Sequence, residues 1–219
     1  MSKKPQQILQ GAKSAFLELG FERASVDEIA RRAGVSKATV YAHFEDKETL
    51  FGAAIEDEAN AAKGWLSDFP ALEAAMRAAL GRENISPSPE TAEAAVRYVT
   101  DHFLRFLLSP MPRANYRIVV AESLRFPRLG HLLWKHGPEA GMVRIAHFFR
   151  EATARGYLRI DDPEEAARAL CDFVDGRLSR KVRMGAAPTV TEDEIVAEVD
   201  AIVKLFLRLY PPRSECRQP

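Results

Sequence analysis

Apolar residues recur at three- and four-residue spacing along almost the whole chain, which is the period of amphipathic helices. Ile8, Leu9, Ala12, Ala15, Phe16 and Leu19 form one such stripe and predict a helix over 5–19. Val26, Ile29, Ala30 and Ala33 form a second, shorter stripe. Further helices are predicted over 46–65, 70–80, 91–108, up to 126, 128–136, 139–155, 163–184 and 192–210. Between them lie loop and breaker signals: residues 81–89, Pro110 and Pro112, Gly137-Pro138, Gly156 and Pro211-Pro212. No alternating strand pattern and no internal repeat is present, so the fold class is all-α.

Residues 26–45, VDEIARRAGVSKATVYAHFE, carry the most information. Ser25 fits a helix N-cap, with Glu28 three residues on in the capping-box spacing. Gly34 stands where the first helix must stop in a left-handed backbone, which a residue without Cβ adopts most easily. Ser36 can cap a second helix two residues later, running from Lys37 to about Phe44. Val40 and Phe44 then turn inward, leaving Lys37, Ala38, Thr39, Tyr41, Ala42 and His43 nearer solvent. Two short helices around a glycine turn are the helix-turn-helix geometry, whose second helix enters the DNA major groove. A plain helical hairpin shares some of this pattern, but not caps on both helices together with every apolar position.

Residues 5–62 resemble the TetR family of bacterial transcriptional regulators. The resemblance rests on Leu19-Gly20-Phe21, on the small-residue helix-turn-helix, on Tyr41 and Phe44, and on Lys47 followed by Leu50-Phe51. Val40 replaces the family's usual Leu. The segments AESLRFPRLGHLLWKHGPEAG and RGYLRIDDPEEAA resemble the C-terminal domain of the AefR-like subgroup. The implied organisation is a three-helix DNA-binding head over 1–50, a ligand-binding and dimerisation domain over 51–212, and a disordered tail over 213–219.

From this follow expectations for the sites. Lys37, Ala38, Thr39, Tyr41 and Ala42 are expected at base edges, where an alanine can meet a thymine methyl. Ser25, Ser36, Thr39, Tyr41, His43 and Lys47 are expected at phosphates, which fix position without reading sequence. A homodimer through residues 163–184 and 192–210 is expected. The last helix is apolar over more than half its circumference (Ile195, Val196, Val199, Ile202, Val203, Phe206, Leu207, Tyr210), so it must bury two sides, against a partner or deeper within one subunit, and the TetR resemblance implies the partner. A double-stranded operator with two half-sites and a small, largely apolar effector are the implied partners.

Phe103, Phe106, Tyr116, His131, Trp134, Met142, Phe148 and Phe173, with Phe149 nearby, are candidates to line the effector chamber. The same stripes are what an ordinary core shows. A buried His131 or His147 could orient a polar group of the ligand or serve structure alone.

Composition narrows the picture. The chain has 219 residues, 47% hydrophobic, enough for a small head and a larger core domain. It carries 31 basic and 31 acidic residues, so net charge does not announce a nucleic-acid partner. Residues 1–50 hold eight Lys/Arg (3, 4, 13, 23, 31, 32, 37, 47) against seven Asp/Glu (18, 22, 27, 28, 45, 46, 48). Local placement therefore decides affinity. No apolar run reaches the ~18–20 residues of a membrane span, and MSKKPQQ is not followed by a secretory apolar region. Cys171 and Cys216 form no metal or CxxC pattern, which fits free thiols in a reducing cytoplasm.

No cofactor is implied. The G-x-S-x-G, GxxxxGK[ST] and HExxH patterns are absent. His131 and His136 are five apart, off the helical zinc spacing, and the acidic pairs at 161–162 and 164–165 are explained by helix capping. The run RLSRKVR at 177–183 suits a helix C-terminus, or a second phosphate patch. Two other classes remain open: an all-α enzyme or carrier keeping the helix-turn-helix as scaffold, and an adaptor whose Tyr41 and His43 face meets protein.

Overall fold

A computed structural model describes residues 3–61, 68–187 and 189–212. Among them are twelve α-helices and one π-helical turn, with no strand. They are α1 (Lys3–Arg23), α2 (Val26–Ala33), α3 (Lys37–Tyr41), α4 (Lys47–Ala61), α5 (Phe69–Leu80), α6 (Pro89–Leu108), α7 (Pro110–Glu122), α8 (Pro127–Trp134), the π turn Lys135–Glu139, α9 (Ala140–Ala154), α10 (Pro163–Val174), α11 (Arg177–Arg183) and α12 (Glu192–Leu209). The helix expected over 46–65 ends at Ala61 on the described side; residues 62–67, the tail at 213–219 and Cys216 lie outside the described residues.

Two compact units emerge. The first joins Met1–Ala61 with Ser109–Ala140, and the second joins Ala62–Leu108 with Gly141–Pro219. The expected boundary after residue 50 does not divide them. Leu50, Phe51 and Ile55 of α4 are buried in one core with Phe16, Ile29 and Val40 of the first three helices and with Ile118, Val119 and Leu129 of α7 and α8.

The first core is built around aromatic rings. Phe51 meets Phe16 and Phe21 edge-on at 5.1 and 5.5 Å, and Phe126 meets Phe21 at 5.2 Å. Full burial of each Phe contributes roughly 1.5–3 kcal/mol before packing is counted. The helix expected to stop at Leu19 does leave helical geometry next door. Gly20 has φ 75° and ψ 177°, and one further turn runs to Arg23. That break returns Phe21 to the core, where it is 1% exposed.

The second unit packs α6 along α12, with α5, α9, α10 and α11 around them. Phe148 stacks on Phe69 at 5.6 Å, and Phe149 stacks on Phe206 at 5.3 Å. Glu198 is buried and answered by Arg177 at 2.5 Å and by the Leu178 N–H at 3.3 Å. Thr191 closes a complete capping box with Glu194 at the start of α12.

Two expectations are corrected here. The single helix expected over 163–184 is α10 and α11, broken at Asp175-Gly176. Gly176 has ψ −127°, and a Cβ there would sit 2.6 Å from the Phe173 carbonyl oxygen. The expected stop at Gly137-Pro138 is instead a π turn carrying Pro138 inside it. Wider i→i+5 spacing accommodates a ring that an α-helical interior would exclude.

Candidate nucleic-acid interface

The Ser25 side chain accepts from the Glu28 N–H at 3.2 Å, as its N-cap position requires. The reciprocal half of the expected capping box is not made. The Glu28 carboxylate turns along α2 to Arg31 and Arg32 at 2.7–2.8 Å, and Arg32 reaches on to Glu18 and Ser14. Hydrogen bonds from Arg31, then Arg32, pull the Glu28 carboxyl down to about 2. Two guanidinium groups outcompete one backbone N–H for the same carboxylate.

Gly34 ends α2 at φ 65°, ψ 33°. Its N–H reaches Arg31 O at 3.3 Å and the Val35 N–H reaches Ala30 O at 3.0 Å, which is a Schellman closure. Gly11 makes the close approach possible on the other side. A Cβ there would lie 2.8 Å from the Ala33 backbone nitrogen, so α1 crosses the end of α2 at backbone distance.

Ser36 caps α3, accepting from the Thr39 N–H at 3.1 Å while its hydroxyl pairs with the Thr39 hydroxyl at 2.8 Å. The helix ends at Tyr41, short of the expected Phe44, although the Phe44 N–H still returns to Val40 O at 2.9 Å. Val40 is buried at 2% exposure and Phe44 packs against the same core. That anchorage turns the opposite face outward. Lys37, Ala38, Tyr41, Ala42 and His43 are exposed, Tyr41 by half, and Thr39 is half-buried.

Lys37, Ala38, Tyr41, Ala42 and His43 thus lie on the outward side of α3 and its end, while Ser25 stands at the start of α2 and Lys47 at the start of α4, with differing freedom. Ser25 spends acceptor capacity on its cap and keeps a hydroxyl proton to give, whereas the Ser36 and Thr39 hydroxyls share a hydrogen bond. Lys37 Nζ is paired with Asp27 Oδ2 at 2.9 Å. Asp27, with a smaller contribution from Tyr41, pushes the Lys37 ammonium up from its ordinary value. Asp27 had no signal as a partner in the sequence, since ten residues separate the two and only the turn at Gly34 brings them together.

Lys47 departs most from expectation. Its ammonium donates to Phe21 O at 2.8 Å and Glu22 O at 3.2 Å, and burial lowers its pKa. Two of its three donors therefore hold the end of α1. Nearby, Asp46 pairs with Arg128 at 2.8 Å and Glu22 pairs with Arg125.

The expected effector residues divide between the two units. Tyr116, His131 and Trp134 belong to the first; Phe103, Phe106, Met142, Phe148 and Phe173 belong to the second. Phe148 is enclosed by Phe69 and Phe149 as part of the core. Phe103 and Phe173 pack against that core at partial burial. His131 and His147 are exposed, which corrects the expectation that they are buried. Each falls on the solvent side of its helix, opposite Leu129 and opposite Ile145 and Phe149. An open groove of about 700 Å³ lies elsewhere, along α1 and α4, lined by Gln6, Gln10, Lys13, Asp57 and Glu58 among others, and by none of the eight.

Among the described residues no cluster of His, Cys, Asp and Glu could hold a metal, and no helix is long and apolar enough to cross a membrane.

Residues 8–54 match the family of bacterial regulatory proteins of the tetR type, and residues 94–212 match the C-terminal domain of AefR-like transcriptional repressors. The HTH-type transcriptional repressor AcnR of Corynebacterium diphtheriae is 42% identical over 59 residues, 27% of this chain and 31% of that protein. The chain thus spans about a third of the length of the curated relatives it matches. Two solved structures align over nearly the whole chain. The flavonoid-responsive regulator FrrA is 34% identical with a TM-score of 0.65, covering 97% of this chain and 99% of that one. A TetR-family regulator from Mesorhizobium loti is 28% identical with a TM-score of 0.73, covering 95% and 96%. The all-α fold with an N-terminal helix-turn-helix and the extent of these matches lead to one conclusion: the chain belongs to the TetR family of bacterial regulatory proteins, with a C-terminal domain of the AefR-like repressor type.

Proposed function

We propose that the chain is a homodimeric, effector-responsive DNA-binding repressor acting in the cytoplasm. The observation that carries this reading is the face of α3. Val40 is locked into the core while Lys37, Ala38, Tyr41, Ala42 and His43 stand outward from a doubly capped helix-turn-helix. A small-residue helix presenting a Lys and a Tyr suits close approach to base edges and phosphates. The names of the relatives support the same sense, repression in AcnR and flavonoid response in FrrA.

Dimerisation through α10, α11 and α12 is supported by apolar side chains left uncovered on α12. Val196 and Leu205 are each 44% exposed and Leu209 is 57% exposed, on a helix whose other side already fills the core. A two-fold axis then presents two α3 helices to half-sites one or more DNA turns apart, ~34–36 Å per turn. A small, largely apolar effector, of the flavonoid kind to which FrrA responds, binds the C-terminal domain and favours a dimer whose heads are wrongly spaced. Linkage requires DNA to weaken effector binding by the same factor. Of the residues expected at the effector, Phe103, Phe106, Met142 and Phe173 of the second unit are part of this proposal, with Phe148 acting from within the core.

Footprinting over the DNA flanking its own gene tests the reading. Protection of two related half-sites, relieved by a flavonoid, is the expected result. Uniform cleavage at every protein concentration would remove the regulator reading and favour the scaffold or adaptor alternative.

A further inference from the structure

We propose that Lys37 and Asp27 act as one reading unit for a G·C base pair in each half-site, Lys37 addressing the guanine and Asp27 the cytosine. The inference rests on the DNA-binding reading above and adds a base preference to it.

The chemistry starts from the placement of the two charges. Lys37 opens α3, and the first residues of a recognition helix are those that reach base edges. Its ammonium and the Asp27 carboxylate lie 2.9 Å apart with both side chains more than half exposed, 52% and 68%. Such an exposed pair contributes little to stability. Other head carboxylates are engaged along or behind the helices: Glu28 with Arg31 and Arg32, Glu18 with Arg32, Asp46 with Arg128. Asp27 instead points its charge to the surface that Lys37 and Tyr41 share.

A carboxylate on a surface meant for a polyanion is repelled unless it finds a donor. Along the major groove, cytosine N4 offers a hydrogen to a carboxylate, and guanine O6 and N7 offer acceptors to an ammonium. These groups sit side by side in one G·C pair. A cation and an anion held together therefore complement that pair, where guanine sets two acceptors side by side for the ammonium, whereas an A·T pair places its donor between single acceptors. Ala38, exposed and short, leaves room beside them.

The test is selection of bound duplexes from a randomised double-stranded DNA library by the full-length protein and by Asp27→Ala, Asp27→Asn and Lys37→Ala. The wild type should enrich a motif with an invariant G·C pair in each half-site. Asp27→Ala and Lys37→Ala should each relax preference at that same pair by roughly tenfold and leave other positions unchanged. Asp27→Asn, nearly isosteric and so the control for folding, should shift the cytosine position toward adenine. Unchanged preference in both Asp27 variants overturns the proposal while DNA reading stands. A Lys37→Ala protein that loses affinity equally for all sequences also overturns it, making Lys37 a phosphate contact. No enrichment by the wild type overturns both readings together.

Discussion

Lys47 and Phe21 meet twice across 26 residues: the Lys47 ammonium donates to the Phe21 carbonyl oxygen at 2.8 Å and lies 4.3 Å from the centre of the Phe21 ring. The carbonyl end of α1 is thereby closed by the first residue of α4. A cation at that end is favoured by the helix dipole, and the ring face adds attraction. The family resemblance suggests a phosphate contact for this lysine, but its first role in the fold is to tie two helices of the head.

Lys47→Ala should therefore cost about 1–2 kcal/mol of stability, the worth of a charged hydrogen bond less the desolvation that its lowered pKa reveals. Urea denaturation of wild type, Lys47→Ala and Lys47→Arg measures it, with the arginine variant retaining part of the loss. Weakened DNA binding in Lys47→Ala then has to be compared at matched folded fraction. Equal stability in all three proteins would show that the carbonyl contacts carry no weight.

Acid should loosen the head through Glu28. Its folded pKa is about 2 against an ordinary 4.5, so its stabilising contribution is complete above about pH 4.5 and disappears as pH falls toward 2. Thermal melts at pH 5 and pH 3 should separate more in wild type than in Glu28→Gln, which lacks the titrating group. Identical separations would place the acid sensitivity elsewhere.

Three glycines make distinct predictions. Gly34→Ala must hold a Cβ at φ 65° and should cost about 1–2 kcal/mol by strain alone. Gly11→Ala meets the Ala33 backbone at 2.8 Å and should cost about 1–3 kcal/mol by overpacking. Gly52→Ala meets only the end of the Leu132 side chain, also at 2.8 Å. Its penalty should shrink when Leu132→Ala is added, and a double-mutant cycle reads that coupling directly. Strict additivity would mean that the α4–α8 contact has room to spare.

Burial pushes the Cys171 thiol up to about 12, so almost no thiolate exists at neutral pH. In a Cys216→Ser background, Cys171 should react with a thiol reagent at pH 8 far more slowly in the folded protein than in urea. Equal rates would contradict the burial of that site.

Much of this was legible in the residues themselves. Ser25, Gly34 and Ser36 announced both ends of the turn because capping is local chemistry, and Val40 announced the inward face because helical periodicity is local too. Distant partners were not legible. Nothing in the spacing of Lys37 from Asp27, or of Lys47 from Phe21, marks a contact, because each depends on where the chain returns in space. The break at Gly176 and the π turn around Pro138 were missed for a related reason: a helical stripe constrains which face is buried, not whether one residue within it leaves helical geometry. Candidate effector residues were the least legible, since an aromatic stripe looks the same whether it fills a core, as at Phe148, or stands more than half exposed, as at Trp134.

Salt dependence of DNA binding tests the central claim most directly. Fluorescence anisotropy of a duplex from the flanking region, titrated at 50 and 200 mM salt, should show affinity falling by roughly tenfold or more, because each phosphate contact releases counterions. Tyr41→Ala, exposed and outside the core, should weaken binding at both salt concentrations without altering the melting temperature. Affinity that ignores salt and survives Tyr41→Ala would contradict a head whose third helix meets the duplex.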